Sequence, residues 1–437
     1  MIKARIEAAI KRRSKKPGFD FSDAPDNRQE GKVTHEQRHL VNGLLLGLTA
    51  NKPTLRDVEE MTQDLRLSFR CLVPKPISDT TLDTESRRLD AEYLTGKLVQ
   101  QVREDFRAKM LGPVGLPCGV ATVDGKNLAT LDHDASGAGH TRSQENEKWH
   151  RPRSAKGEEY FLVPALRAAL TSAEARPIIY QQALPPGTGE ATEFCELVDN
   201  LHRSYGRSGM FEVIEGDAGL ISLANADHVN ERGYTYIFGL KGNQPELYEE
   251  ALFLLEPQAR IEPPEAETPW ERREGKRIRR LLWRTPEMAG IENSVGKWTH
   301  LRQTWLVRQE TEHPDGAVKT EDRYFVTSAL WNYFKPAQIL ALVRGHWRVE
   351  NDCFNSLDVQ WREDFGPWCT KGNAVLGLSL LRVMAYNLVQ MLRRRRLRRK
   401  TEDGNYKEPL SWRSVFKAIM LTLEAALVGG EVTLAVG

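Results

Sequence analysis

Residues 112–126 read GPVGLPCGVATVDGK, and this stretch decides the fold class. Gly and Pro punctuate its first half. Val120 to Val123 then forms a short apolar run that ends in Asp124 and is followed by Gly125 and Lys126, the pattern of a strand running into a turn. Runs of the same texture recur at 160–166, 177–183, 211–214 and 234–240, with helical stretches at 190–205 and 218–231 between them. Strands alternating with helices predict an α/β layer around a central sheet. Residues 131–159 break the scheme. They are polar, with Gly137, Gly139, Pro152 and several His and Arg, and read as a long functional or mobile loop.

Downstream the alternation changes. Segments 277–283, 304–309 and 323–327 look like strands between polar, Pro-containing turns, and no long helical pattern follows Pro257 until Lys335. Helical periodicity then runs to Leu392, and an apolar helix is expected over 412–427. Upstream, HLVNGLLLGLTA (39–50) has helical spacing, Thr54 stands in N-cap position before LRDVEEM, and 81–110 has long-helix composition. The expected layout is a basic flexible arm (1–34), a helical domain (35–112) and the first part of an α/β core (113–244). A β-rich insertion (245–332), the second part of the core (333–392) and a basic tail with a helix (393–437) complete it.

The chain has 437 residues, 40% of them hydrophobic and 28% charged, enough for a sizeable core and two to four domains. Sixty-two Lys and Arg against sixty Asp and Glu leave a net charge of +2, so the total names no partner. The distribution does: residues 3–16 are basic and 393–400 read RRRRLRRK. The start, MIKARIEAAIKRRSKK, lacks the unbroken apolar core of a secretory signal. The longest apolar stretch, 375–392, contains Arg382, Asn387 and Gln390, which favours a buried core helix over a membrane span. Five cysteines without a CxxC pair argue against a disulfide framework and a structural zinc site, and fit a reducing cytoplasm. GLKGNQ lacks the spacing of a phosphate-binding loop, so no nucleotide cofactor is expected.

Three carboxylates stand out by position: Asp124 at a strand end, Asp217 just after the strand at 211–214, and Glu350 inside a helical stretch. Two strand-end carboxylates and one from a neighbouring helix can share hard divalent cations, and oxygen ligands without a His/Cys cluster suit Mg²⁺ or Mn²⁺. Two such ions roughly 3.5–4 Å apart serve phosphoryl transfer. A strand-end Asp also serves as a turn former or cap, and sixty acidic residues offer many other triads.

The pieces VDGK (123–126), GDA (216–218), GLKGNQ (239–244), RGHWRVEN (344–351), LDVQWRED (357–364) and KGNA (371–374) occur in that order. Together they resemble the DDE transposases of bacterial insertion sequences, specifically the H-repeat-associated group. The resemblance covers about residues 78–392, with ISDTTLDTESRRLD (77–90) as a weaker marker in the helical domain. It implies an RNase H-like core with a β-rich insertion between the second Asp and the Glu. By position it makes Asp124, Asp217 and Glu350 the catalytic metal ligands. It also implies a DNA transposase that cleaves element ends and joins 3′ ends to target DNA with Mg²⁺ or Mn²⁺, two ions in all, working as a homodimer on double-stranded DNA in the bacterial cytoplasm. The chain departs from the group in places. Asn127, Leu128, Ala129 and Thr130 replace its Leu-Arg-Gly, and Phe354 and Asn355 its His-Trp pair. Val343, His346 and Leu357 stand where the wider superfamily carries Tyr, Arg and Lys.

DNA contacts are expected from Lys126, from Lys241 and Asn243 of the strand-end motif, and from Arg344, His346, Arg348 and Asn351 around Glu350. The basic run adds Arg393, Arg394, Arg395 and Arg396, with Lys371 and the basic loop 140–156 on the same track. Trp298, beside a turn, is the candidate for stacking on an unpaired base. Glu363 is the substitute for Glu350 should the triad not converge. Two other readings share these features: a decayed transposase that only binds DNA, and a nuclease on the same core that cuts without joining.

Overall fold

The computed structural model describes residues 2–26, 28, 33–132, 151–155, 158–185, 187–363, 368–369, 374–398 and 408–424. Five helices come first: α1 (Ile2–Arg13), α2 (Gln37–Thr49), α3 (Leu55–Gln63), α4 (Asp79–Ser86) and α5 (Ala91–Arg107). β1 (Val120–Asp132), β2 (Arg151–Ala155), β3 (Glu158–Leu170) and β4 (Ile178–Ala183) follow, then α6 (Glu190–Tyr205), β5 (Val213–Gly216), α7 (Leu223–Glu231), β6 (Thr235–Leu240) and α8 (Pro245–Ile261). Seven strands come next: β7 (Ala266–Glu267), β8 (Glu271–Arg273), β9 (Lys276–Thr285), β10 (Glu292–Asn293), β11 (Gly296–Lys297), β12 (Gln303–Glu312) and β13 (Val318–Thr327). The chain closes with α9 (Pro336–Arg348), a π-helical stretch (Val349–Phe354), α10 (Asn355–Trp361), α11 (Ala374–Met391) and α12 (Trp412–Leu423).

Two compact units result. A helical unit takes residues 1–110, 127–163 and 356–437, and a sheet unit takes 111–126 and 164–355. In the helical unit every residue of α11 is buried, Arg382, Asn387 and Gln390 included. It is the one helix among the described residues long and apolar enough to cross a membrane, and it serves as the core against which α2 and α5 pack. Thr54 caps α3 by accepting from the Asp57 N–H at 3.1 Å, as its position predicts. The helix expected over 81–110 is two helices, because Asp90 accepts from the Tyr93 N–H at 2.9 Å and starts α5 anew.

The N-terminal segment is not a free arm. Ile6 and Ile10, four residues apart, give α1 one apolar stripe and are buried, as are Phe19 and Phe21. The Gly18 N–H donates to Glu104 at 3.0 Å. Charge composition hid a short amphipathic helix that docks.

The strand order is β2-β3-β1-β5-β6-β13-β12-β9-β7, with β4 paired to β3 and β8 to β9. β1, β5 and β6 run parallel, with Val120 opposite Val213, Thr122 opposite Glu215, and Glu215 opposite Ile237. β13 then pairs antiparallel with β6, Phe325 opposite Gly239. The β-rich segment is therefore not a separate layer: its long strands extend the core sheet. The loop expected over 131–159 is also partly strand, since β1 runs to Asp132 and β2 and β3 form an antiparallel ladder, Arg153 opposite Tyr160. Residues 133–150 lie outside the described residues, with most of the expected basic loop.

Strand alternation places Val120, Thr122, Val213, Glu215 and Ile237 on one face. Val120, Val213, Ile237, Trp305 and Phe325 there pack with Ile339, Leu340 and Val343 of α9. Each such side chain contributes about 1.5–3 kcal/mol on burial, so α9 is clamped to this face. Its start is fixed by Pro336 and by the Gln338 side chain, which accepts from the Lys335 N–H at 2.9 Å.

Candidate active site

Along the face that α9 covers, β1 and β5 pass from apolar to polar or acidic residues. β1 shows Val120, Thr122 and Asp124, and β5 shows Val213 and Glu215 before Asp217. The in-register pairing of Val120 with Val213 and Thr122 with Glu215 brings Asp124 level with Asp217; β5 ends at Gly216, whereas β1, expected to end at Asp124, runs on to Asp132. Glu350 follows the core residue Val343 by seven residues, is exposed, and lies in the π-helical stretch Val349–Phe354. Such widened turns cluster at functional sites.

The electrostatics tie the three together. The Asp124 carboxyl is pushed up to about 7, first by burial and then by the negative charges of Glu350 and Asp217. The Gly125 N–H, which donates to Asp124 Oδ1 at 2.8 Å, works the other way.

A fourth carboxylate, Glu190, adds to the same repulsion. It is the first residue of α6, where the helix dipole favours a negative charge. It sits so close to the backbone of β1 that a Cβ on Gly125 would fall 2.1 Å from Glu190 Oε1. The sequence reading missed it, as one acid among sixty. The available signal was Gly125 itself, since a glycine inside a strand marks a close approach.

Beneath the carboxylates lies a buried polar layer. Thr122 Oγ1 donates to Glu215 Oε2 at 2.8 Å, and burial pushes the Glu215 carboxyl up to about 8. His346 Nδ1 stands 4.0 Å from Glu215 Oε1. Burial pulls the His346 imidazole down to about 4; Asp217 opposes this, while Arg323 and Lys241 reinforce it. His346, expected to contact DNA, is thus half-buried and faces Glu215 of this layer.

The GLKGNQ motif braces the second Asp. Asn243 Nδ2 donates to the Ala218 carbonyl at 2.5 Å, and Gln244 Nε2 to that of Ile221 at 3.3 Å. Asp217 Oδ1 accepts from the Gly219 N–H at 2.9 Å. Asn243, expected to touch DNA, is thus engaged in holding the Asp217 turn, while Lys241 beside it is exposed.

The other expected contacts divide. Lys126, two residues past Asp124, shares its face of β1 and is half-buried. Arg344 pairs with Glu271 at 2.5 Å, Arg348 is half-buried, and Asn351 Nδ2 donates to the Trp347 carbonyl at 2.9 Å. Trp298 is 1% exposed, which corrects the expectation that it stacks on a base: its ring has no free face. In the helical unit Arg393 donates to the Leu410 carbonyl at 2.6 Å and covers the Trp412 ring, and Arg394 reaches Gln390 at 3.3 Å. Arg395 and Arg396 are exposed. Glu363 is fully buried in the helical unit, accepting from Ser379 at 3.0 Å. Lys371 lies outside the described residues.

The donor set at the site is oxygen-only and anionic, the chemistry that hard divalent cations prefer, and the repulsion felt at Asp124 is what a cation relieves. Among the described residues no three His, Cys, Asp or Glu side chains already surround a single point as an ion cage.

No curated protein matches the chain. The model of the transposase DDE domain family matches residues 125–388, beginning one residue past Asp124 and spanning Asp217 and Glu350. Members of that family generally use divalent metal ions. With this match over the sheet unit and into α11, the chain belongs to the transposase DDE domain family.

Proposed function

We propose that this protein is a metal-dependent DNA transposase of the H-repeat-associated group, built on an RNase H-like core. It binds the ends of its element, cuts them and joins the 3′ ends to target DNA. The observation that carries the reading is the parallel register that sets Asp124 beside Asp217 on the face covered by the Glu350 helix. The strand order β4-β3-β1-β5-β6 supports the RNase H-like core.

Asp124, Asp217 and Glu350 would hold Mg²⁺ or Mn²⁺, with Glu190 adding negative charge beside them. When bound, the cation supplies Lewis acidity toward phosphate and toward the attacking hydroxyl. Asp124 must give up the proton that its neighbours help it keep, so loading is coupled to proton release. Asn243 and Gln244 keep the Asp217 turn in place, Thr122 orients Glu215 beneath it, and Lys126 and Lys241 draw the DNA backbone toward the carboxylates. Two copies would hold the two element ends.

The test uses duplexes ending in the inverted repeats that flank the coding region. Wild type should nick them in Mg²⁺ and join pre-cut 3′ ends to a plasmid. Asp124→Asn should bind the same duplexes without cutting. Nicking without joining would reduce the protein to a nuclease, and binding without nicking by wild type would overturn the enzymatic reading.

A further inference from the structure

The two basic segments at opposite ends of the chain meet in the helical unit. α1 packs against the turn Leu392–Arg396 that closes α11. Between them is a cavity of about 250 Å³, lined by Arg5, Arg12, Arg13 and Arg396 over a floor that includes Leu388 and Met391.

These guanidiniums are poorly balanced. Arg13 is paired with Asp105. Arg396 is held below its ordinary pKa by burial and by repulsion from Arg12 and Arg13, with Asp105 as the opposing carboxylate. A guanidinium does not escape crowding by losing its proton. Like charges gathered around a part-buried cavity repel one another more strongly than in water. An anion entering the cavity removes that cost, and forked guanidinium donors match phosphate oxygens. The cavity is smaller than the usual range for drug-sized ligands, ~300–1,000 Å³, which suits one phosphate group and its immediate substituent.

We propose that this cavity seats a single phosphate of a DNA backbone, formed jointly by α1 and the turn after α11. The assignment rests on reading the chain as a DNA-acting protein. A backbone phosphate is favoured over a free anion because exposed Lys3, Lys15 and Lys16 continue the positive charge along the N-terminal segment, the layout a polyanion uses.

The full-length protein is tested in two ways. Thermal unfolding is followed with inorganic phosphate at constant ionic strength, and binding to random-sequence duplexes is measured over a series of salt concentrations. Wild type should be stabilised by phosphate and R12Q/R396Q should not. The slope of log K against log salt should become shallower by about 0.9 in R12Q/R396Q, the share of one phosphate contact. R12K/R396K, which keeps both charges, should restore the slope and shows whether the positions tolerate substitution. No phosphate response in wild type, or an unchanged slope in R12Q/R396Q while wild type binds DNA, overturns the seat and leaves the transposase reading standing. Failure of wild type to bind any duplex overturns that reading and the backbone source with it; a phosphate response lost in R12Q/R396Q would then assign the cavity to a free anion.

Discussion

Asp124 lies inside β1 and Asp217 just past the end of β5, at the level where the parallel pairing of the two strands stops, while Glu350 stands on a helix that has passed into a π-helical stretch. The strand pair is held by backbone hydrogen bonds on both sides of β5 and by turn contacts such as Asn243 to Ala218. Glu350 is exposed and depends on the apolar clamp that Leu340 and Val343 make seven to ten residues earlier. The strand carboxylates are therefore fixed by register, and the helix carboxylate by packing at a distance.

The largest expected effect tests that distinction directly. Asp124→Asn and Asp217→Asn should each lower strand cleavage by roughly 10³-fold or more, the loss of several kcal/mol of charge stabilisation. Glu350→Asp, which keeps the charge but pulls it back by one methylene, should fall by about 10²-fold. Single-turnover cleavage of a labelled duplex measures all three, and an equal loss for Asp124→Asn and Glu350→Asp would erase the contrast between the two kinds of support.

Next comes the clamp. Leu340→Ala should cost about 2–5 kcal/mol in urea unfolding. It should also lower cleavage through Glu350, because the helix loses its seat on Val120 and Val213. Full cleavage activity in a destabilised Leu340→Ala protein would show that Glu350 is placed by something other than α9 packing.

A smaller effect concerns the fourth carboxylate. Gly125→Ala should displace Glu190 and weaken Mn²⁺ binding several-fold, as Glu190→Gln does. The double variant should lose little more than either alone, because both remove the same charge from the same place. Mn²⁺ binding followed by electron paramagnetic resonance reads this without relying on catalysis. Strict additivity would separate Gly125 from Glu190.

The smallest effect is on pH dependence. Glu215 has its folded pKa raised from 4.5 to about 8, so the folded protein keeps a proton that the unfolded chain releases. Stability from this group is full below about pH 4.5 and is lost as pH rises toward 8. Glu215→Gln should therefore show a smaller drop in melting temperature between pH 5 and pH 8 than wild type. An equal drop would remove Glu215 as a cause.

Much of the strand pattern was legible because alternation and turn residues are local signals. Helix 190–205 coincides with α6, and the strands expected at 177–183 and 234–240 agree with β4 and β6 within a residue. Asp124, Asp217 and Glu350 were reachable through short ordered motifs. What escaped was non-local. Glu190 matters only because Gly125 leaves it room, a relation between residues far apart in the chain. Trp298 beside a turn gave no hint of complete burial. The basic α1 concealed two isoleucines that dock it, and the extension of the sheet by β9, β12 and β13 depends on β13 finding the edge of β6, which local pattern does not encode.

The shared register of β1 and β5 makes the sheet a ruler, and that predicts where the gene can change length. An extra residue in β1 between Val120 and Asp124 would turn Asp124 to the opposite face, away from α9 and Glu350. The same insertion in the turn between β12 and β13, around Gly316, would leave the spacing of every carboxylate untouched. Length variation among natural copies of such a gene should therefore gather in the hairpin tips and stop abruptly at Val120 and Val213, and a library of single-codon insertions scored for cleavage would trace the same boundary.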